Sequence, residues 1–239
     1  MHYWNQDNFE GLRQVSEILG ADSDLALLAR YCHLREQGLR HQAFSVLEQF
    51  LRATRAFDSD TARSSVVKIL TLNAQMKNIY HFISQPLSMR FLFPTLQSWV
   101  KQEPNSPEAT RWLAILAHDH NVLAHALSLC PQQLLRHALS ICPEDNRVRE
   151  LLIKYALSDI DNATEHLLPH NFFYGNIDQT IVILNHAREL IINAATSDAY
   201  PDLLSEIEYY DALIADWKIY SQNPTNSFAD WCVQQERKY

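Results

Sequence analysis

Glycine is scarce in this chain, with 4 residues among 239 against 9 prolines. So few inexpensive routes into positive φ disfavour a hairpin-rich sheet protein and a nucleotide binder built on a glycine loop. The phosphate-binding patterns GxGxxG and GxxxxGK[ST] are absent, and so is the nucleophile turn GxSxG. No apolar run approaches the roughly 20 residues of a membrane helix; the most apolar stretches, near Thr180 to Leu184 and Glu189 to Ile192, end after a few positions. The opening residues His2, Tyr3 and Trp4, followed by Asp7 and Glu10, lack the positive-then-apolar order of a secretory leader, so a cytoplasmic protein is expected. Cys32, Cys130, Cys142 and Cys232 form no CxxC pair. They read as reduced thiols, serving as small buried hydrophobes, rather than as a disulfide framework or zinc site.

What remains is rich in apolar residues, 47% of the chain, spaced for helices. Leu25, Leu28, Cys32 and Leu34 form a stripe that Asp22 or Asp24 can cap. Gly38 permits a turn, and Ala43, Val46, Leu47, Phe50 and Leu51 start a second apolar face, which predicts an antiparallel helix pair. A third helix is expected from Thr61 to Phe82 on Val66, Ile69, Leu70 and Ala74. Pro86 and Pro94 bracket Leu87, Met89, Phe91 and Leu92, a packed segment read as a short helix or apolar linker. Ser106 as cap and Pro107 at the first helical position open a helix carrying Ala109, Trp112, Leu113, Leu116 and Ala117. Further helices are expected over 121–129, from Pro131 or Gln132 to Ile141, and after Asn146. Past Leu157 the pattern becomes a short helix and packed loop over 159–175. A helix over 176–195 and a long one from Pro201 through Trp217 follow, with Phe228, Trp231 and Val233 able to dock the tail.

Two of the proline-led starts align at a shift of 39 residues. Pro104 falls on Pro143, Ala109 on Val148, Trp112 on Leu151, Leu113 on Leu152 and Ala117 on Ala156, a spacing that suits a stacked pair of helices. With Leu27, Tyr31, Gly38, Ala43 and Phe50 at the turn and second helix of an earlier unit, the chain from Asp22 to Leu157 resembles the tetratricopeptide-like helical-repeat families. Arg30 falls where that pattern has leucine. The resemblance implies an all-α fold, antiparallel helix pairs stacked as a curved TPR-like array or α-solenoid, whose surface grips a peptide or protein. We expect a helical-repeat portion over 1–158 and an acidic helical cap over 159–239, continuous with it as one domain.

Charge is distributed unevenly. Residues 1–158 carry 16 Lys or Arg against 15 Asp or Glu, whereas residues 159–217 carry only Arg188 against 11 acids. A net −10 therefore sits in one quarter of a chain whose total is −8. Tyr209, Tyr210, Trp217 and Tyr220 lie among these acids. A carboxylate field steers a basic partner and aromatic rings supply buried contact on arrival, so Glu206, Glu208, Tyr209, Asp211, Asp216 and Tyr220 are the expected partner-binding residues. The alternative is a solvated acidic face with Tyr210 and Trp217 in the core. The same charge disfavours nucleic acid, since phosphate neutralisation dominates that affinity. Arg147, Arg149 and Lys154, or Arg52, Arg55 and Arg63, form only small positive groups.

His118, Asp119, His120 and His125 beside Trp112 are the strongest candidates for metal or acid–base chemistry. They do not follow HExxH, and His118 and His120 would not share a helical face. His166 and His170 around Pro169, with Glu165, are a lesser group. Neither offers residues assignable to chemical steps, so no catalytic, cofactor or metal site is expected. The expectation is a non-enzymatic protein-binding module, in its concrete form an inhibitor or immunity-type protein covering a basic, nucleic-acid-cleaving toxin. A scaffold or adaptor and a metal-dependent hydrolase are the alternatives.

Overall fold

A computed structural model describes residues 6–76, 79, 82–194, 200–224 and 226–239, and among them there is no strand. The chain forms two compact units, Met1–Leu134 and Leu135–Tyr239. The join falls inside a helix, and the charge divide at 158/159 falls inside the next one. His2, Tyr3, Trp4, Ala195 and Asp198 lie outside the described residues, and the helix expected to reach Ala195 ends at Ile192.

The first unit opens with α1 (Gln6–Gly20), which buries Leu12, Val15 and Leu19 at helical spacing. No helix was anticipated there. α2 (Ala26–Glu36) packs on α1, and α3 (Arg40–Ala53) packs back on α2. Between them Gly38 takes φ 75, and its N–H and that of Leu39 donate to the carbonyls of Arg35 and Leu34. This double bond closes the helix end in the left-handed conformation that glycine adopts without steric cost. α4 (Ser59–Gln75) is capped by Asp58, whose carboxylate accepts from Thr61 N. The helix expected to reach Phe82 ends at Gln75; residues 77, 78, 80 and 81 lie outside the described residues.

The proline-bracketed segment is helical throughout: α5 (Gln85–Leu87), a π-helical turn (Ser88–Leu92) and α6 (Phe93–Gln102). A proline inside an α-helix collides with the carbonyl four residues back. The wide turn, in which Phe93 N donates to Ser88 O, carries the chain into Pro94 without that collision. α7 (Pro107–Asp119) starts as anticipated, with Ser106 accepting from Ala109 N and Pro107 at the first position. It buries Ala109, Trp112, Leu113, Leu116 and Ala117. α6 packs on α4 and α7. α8 (Asn121–Ala126) is shorter than the helix expected over 121–129 and closes through Ser128 at φ 58. α9 (Pro131–Ile141) follows.

In the second unit α10 (Asn146–Thr164) is capped by Asp145, which accepts from Arg147 N and Val148 N. The 39-residue register thus extends to the caps, because Ser106 and Asp145 correspond, as do the amides of Ala109 and Val148. α10 continues to Thr164, well past the break expected near Leu157. α11 (Leu167–His170), α12 (Ile177–Ile192), α13 (Pro201–Tyr220) and α14 (Phe228–Gln234) complete the chain. α12 and α13 pack on α10 and on each other, while α14 lies against α11 and α13. The docked tail buries Phe228 and Cys232 but leaves Val233 75% exposed.

One buried ion ties this unit together. Arg149 is 4% exposed, and its guanidinium donates to Leu190 O at 3.0 Å and to Pro143 O. Leu190 lies in the last turn of α12, where carbonyls lack intrahelical donors and a cation is favoured by the helix dipole.

Candidate partner-binding surface

Surface character follows from how α13 divides its faces. Ile207, Tyr210, Leu213, Ile214, Trp217 and Tyr220 point inward and are buried. Leu204, Glu208, Asp211, Ala212, Ala215 and Ile219 are exposed, and at 100° per residue they form the opposite stripe. Leu204 is 36% exposed and Ile219 58%. Among the described residues, Phe172, Tyr174, Val182, Ile192, Tyr209 and Val233 are also exposed in this unit, whereas the exposed large apolar residues of the first unit are Ile18, Leu39 and Val122. Among the described residues, apolar exposure is therefore greater in the unit that carries the acidic excess.

The six anticipated contact residues do not share one face. Glu208 and Asp211 lie three apart on the outward stripe, and Asp211 takes Arg188 at 3.0 Å. Glu206 turns the other way, onto the rim of an open hollow of about 410 Å³ that Lys154, Leu157, Ser158, Asp161, Leu203 and Tyr210 also line. There Tyr210 donates its hydroxyl to Asp161 at 2.8 Å. Burial first, and then the Asp161 carboxylate, push this hydroxyl well above the ordinary tyrosine range.

Two assignments need correction. Asp216 and Tyr220 do not face solvent; they are 4% and 5% exposed. They follow Tyr209 by 7 and 11 residues, on the edge of α13 against which later segments pack. Asp216 accepts from Arg237 Nε at 3.0 Å and Tyr239 Oη at 2.5 Å. Tyr220 donates to Asn226 O at 2.5 Å, and its ring meets Trp217, Phe228 and Trp231. Tyr209, 41% exposed, lies edge-on to Tyr210 and Tyr239. The packing of Tyr239 onto α13 was not anticipated, because no local spacing links residues that far apart in the chain.

The histidines do not converge. His118 lies in the last turn of α7, His120 joins α7 to α8, and His125 lies on α8. Among the described residues no group of three or more His, Cys, Asp or Glu is placed to hold a metal. Burial holds the His120 imidazole below its ordinary range, against the opposing pull of Asp119. His166 and His170 place their rings 5.3 Å apart, and Glu165 lies 3.4 Å from His166. Cys32 and Cys232 are buried as expected, whereas Cys130 is exposed and Cys142 half-buried. Cys130 stands just before α9, where the helix start at Pro131 leaves its thiol in solvent.

Among the described residues no helix is long and apolar enough to cross a membrane. Comparison with protein-family models, curated proteins and solved structures found no match for the chain.

Proposed function

We propose that this chain is a non-enzymatic, cytoplasmic protein-binding module whose outward α13 stripe holds a protein with a basic surface. The observation that carries the reading is the composition of that stripe: exposed Leu204 and Ile219 flank Glu208 and Asp211 on one helix face. Carboxylates draw a cationic surface in over a Debye length of about 8 Å at physiological salt. Apolar side chains then supply contact that salt does not screen. The hollow rimmed by Glu206 adds the Asp161 carboxylate, with Leu157 and Leu203 beside Lys154 in its lining.

In its concrete form the module is an inhibitor of the immunity type, covering a basic, nucleic-acid-cleaving toxin. The chain supplies the negative field such an enzyme finds on its substrate. The repeated register of caps and apolar positions supports a TPR-like scaffold as the frame. A second reading, an adaptor holding two proteins, is favoured by an open groove of about 580 Å³ in the first unit, lined by Ser64, Val67, Lys68, Thr71 and Trp99 among others.

Joint reversal of Glu206, Glu208 and Asp211 to lysine tests the surface. Capture from native cells should enrich a basic protein on the wild-type chain at low salt, less of it at moderate salt, and none on the reversed chain. A capture profile unchanged by reversal refutes this surface. A captured nuclease that the chain silences separates inhibitor from adaptor.

A further inference from the structure

The edge of α13 beside the stripe is already occupied by the chain's own basic–aromatic segment. After α14 the N–H of Glu236 donates to Val233 O and that of Arg237 to Cys232 O, with Glu236 at φ 56. This is the same double-bonded closure that Gly38 makes, here held by a residue that meets steric resistance in the left-handed region. The turn aims Arg237 back at α13. Asp216, a carboxylate that burial would heavily penalise if alone, receives Arg237 Nε at 3.0 Å and Tyr239 Oη at 2.5 Å on a single oxygen. Among the described residues those are its polar partners. The Tyr239 ring stands edge-on to Tyr209 at 5.7 Å. Cys232, whose carbonyl accepts the Arg237 N–H, is 4% exposed, its thiol pushed up first by burial and then by Asp216.

The strap's grip is slight. Residues 233–238 are exposed, and the Arg237 side chain keeps 54% of its surface in solvent. Beyond the backbone bonds that close α14 at Glu236 and Arg237, what holds this segment is one ion pair, one hydroxyl bond and one ring contact, these three directed at α13. Nothing in that set is specific to a segment of the same molecule: it selects a guanidinium followed two positions later by a phenol.

We infer that residues 235–239 are an intramolecular stand-in for the partner, and that a partner segment with an arginine two residues before a tyrosine displaces them from Asp216 and Tyr209. This rests on the reading that α13 binds a basic protein, and it names the contact that such a protein makes on the helix edge. The unbound chain covers its own carboxylate; the bound chain frees the strap and opens Cys232.

The full chain with Cys130 and Cys142 changed to serine provides the test, using Arg237→Ala combined with Tyr239→Phe to lift the strap. A thiol reagent added to the folded protein should label Cys232 about tenfold faster in the lifted variant, the loss of one ion pair and one hydrogen bond. A fluorescent peptide of residues 234–239 should bind the lifted variant about tenfold more tightly than the strapped chain. The same peptide with its arginine replaced by alanine should bind neither. Should the double variant lose helix content by circular dichroism, Tyr239→Phe alone carries the comparison, with about threefold expected in both readouts. Equal labelling with and without the strap overturns the inference. Faster labelling with unchanged peptide affinity overturns it as well, and leaves the stripe to be judged by reversal of Glu206, Glu208 and Asp211.

Discussion

Replacing Arg149 asks whether a buried cation holds the second unit together or burdens it. The guanidinium is 4% exposed and donates to Leu190 O and Pro143 O, so α10, the end of α12 and the turn before α10 meet on one side chain. Arg149→Ala leaves two carbonyls without this donor, at about 1–3 kcal/mol each, and removes the packing of the three-carbon stem. Against that stands the recovered desolvation of the guanidinium, several kcal/mol in its own right. Truncations that leave buried polar partners stranded ordinarily lose, and we expect a net destabilisation of about 3 kcal/mol. Arg149→Met keeps the stem and discards the charge, so it isolates the hydrogen bonds, and about 2 kcal/mol is expected. With a urea slope of roughly 2 kcal/mol/M, the alanine variant's midpoint falls by about 1.5 M. Tryptophan fluorescence and circular dichroism follow the transition. A methionine variant as stable as wild type or more so would refute the reasoning, because desolvation would then outweigh both bonds.

Three further outcomes follow from the packing and the caps. Trp112→Ala empties a site that is 5% exposed and removes a ring stacked under the Arg111 guanidinium at 4.4 Å; it should cost about 3–4 kcal/mol by chemical denaturation. Glu236→Gly relieves a left-handed residue and should raise stability by roughly 0.5–1 kcal/mol, read as a higher melting temperature. Burial depresses the His120 proton affinity in the fold, so the unfolded chain binds that proton more readily. Stability should therefore fall as pH drops through the unfolded value of about 6.5, and His120→Gln should flatten the pH 5–7 part of that profile.

Much of the helical frame was legible because local chemistry decides it. Ser106 and Pro107 announce α7, Pro143 announces α10, and Gly38 marks the reversal between α2 and α3. The misreadings arise where a distant residue decides. Pro86 and Pro94 left a short helix and an apolar linker both open, and the wide turn at Ser88–Leu92 decides for a helical path between them. Asp216 looked like surface because a lone carboxylate normally is, and only Arg237 and Tyr239, brought back by the α14 closure, make its burial tolerable. The scarcity of glycine was informative but incomplete: Ser128, Asn171 and Glu236 take positive φ where glycine is commonest. α1 went unread because its stripe, Leu12, Val15 and Leu19, is narrow and completed by buried Asn8 and Gly11.

The account turns on the outward stripe of α13 being the place where a partner sits. Amide hydrogen exchange on the full chain, with and without the protein captured on it, reads that directly. Protection appearing in peptides that span 204–219, and absent from those that span 60–108, is the predicted result. Protection confined to 60–108, with α13 exchanging as it does in the unbound chain, would contradict it.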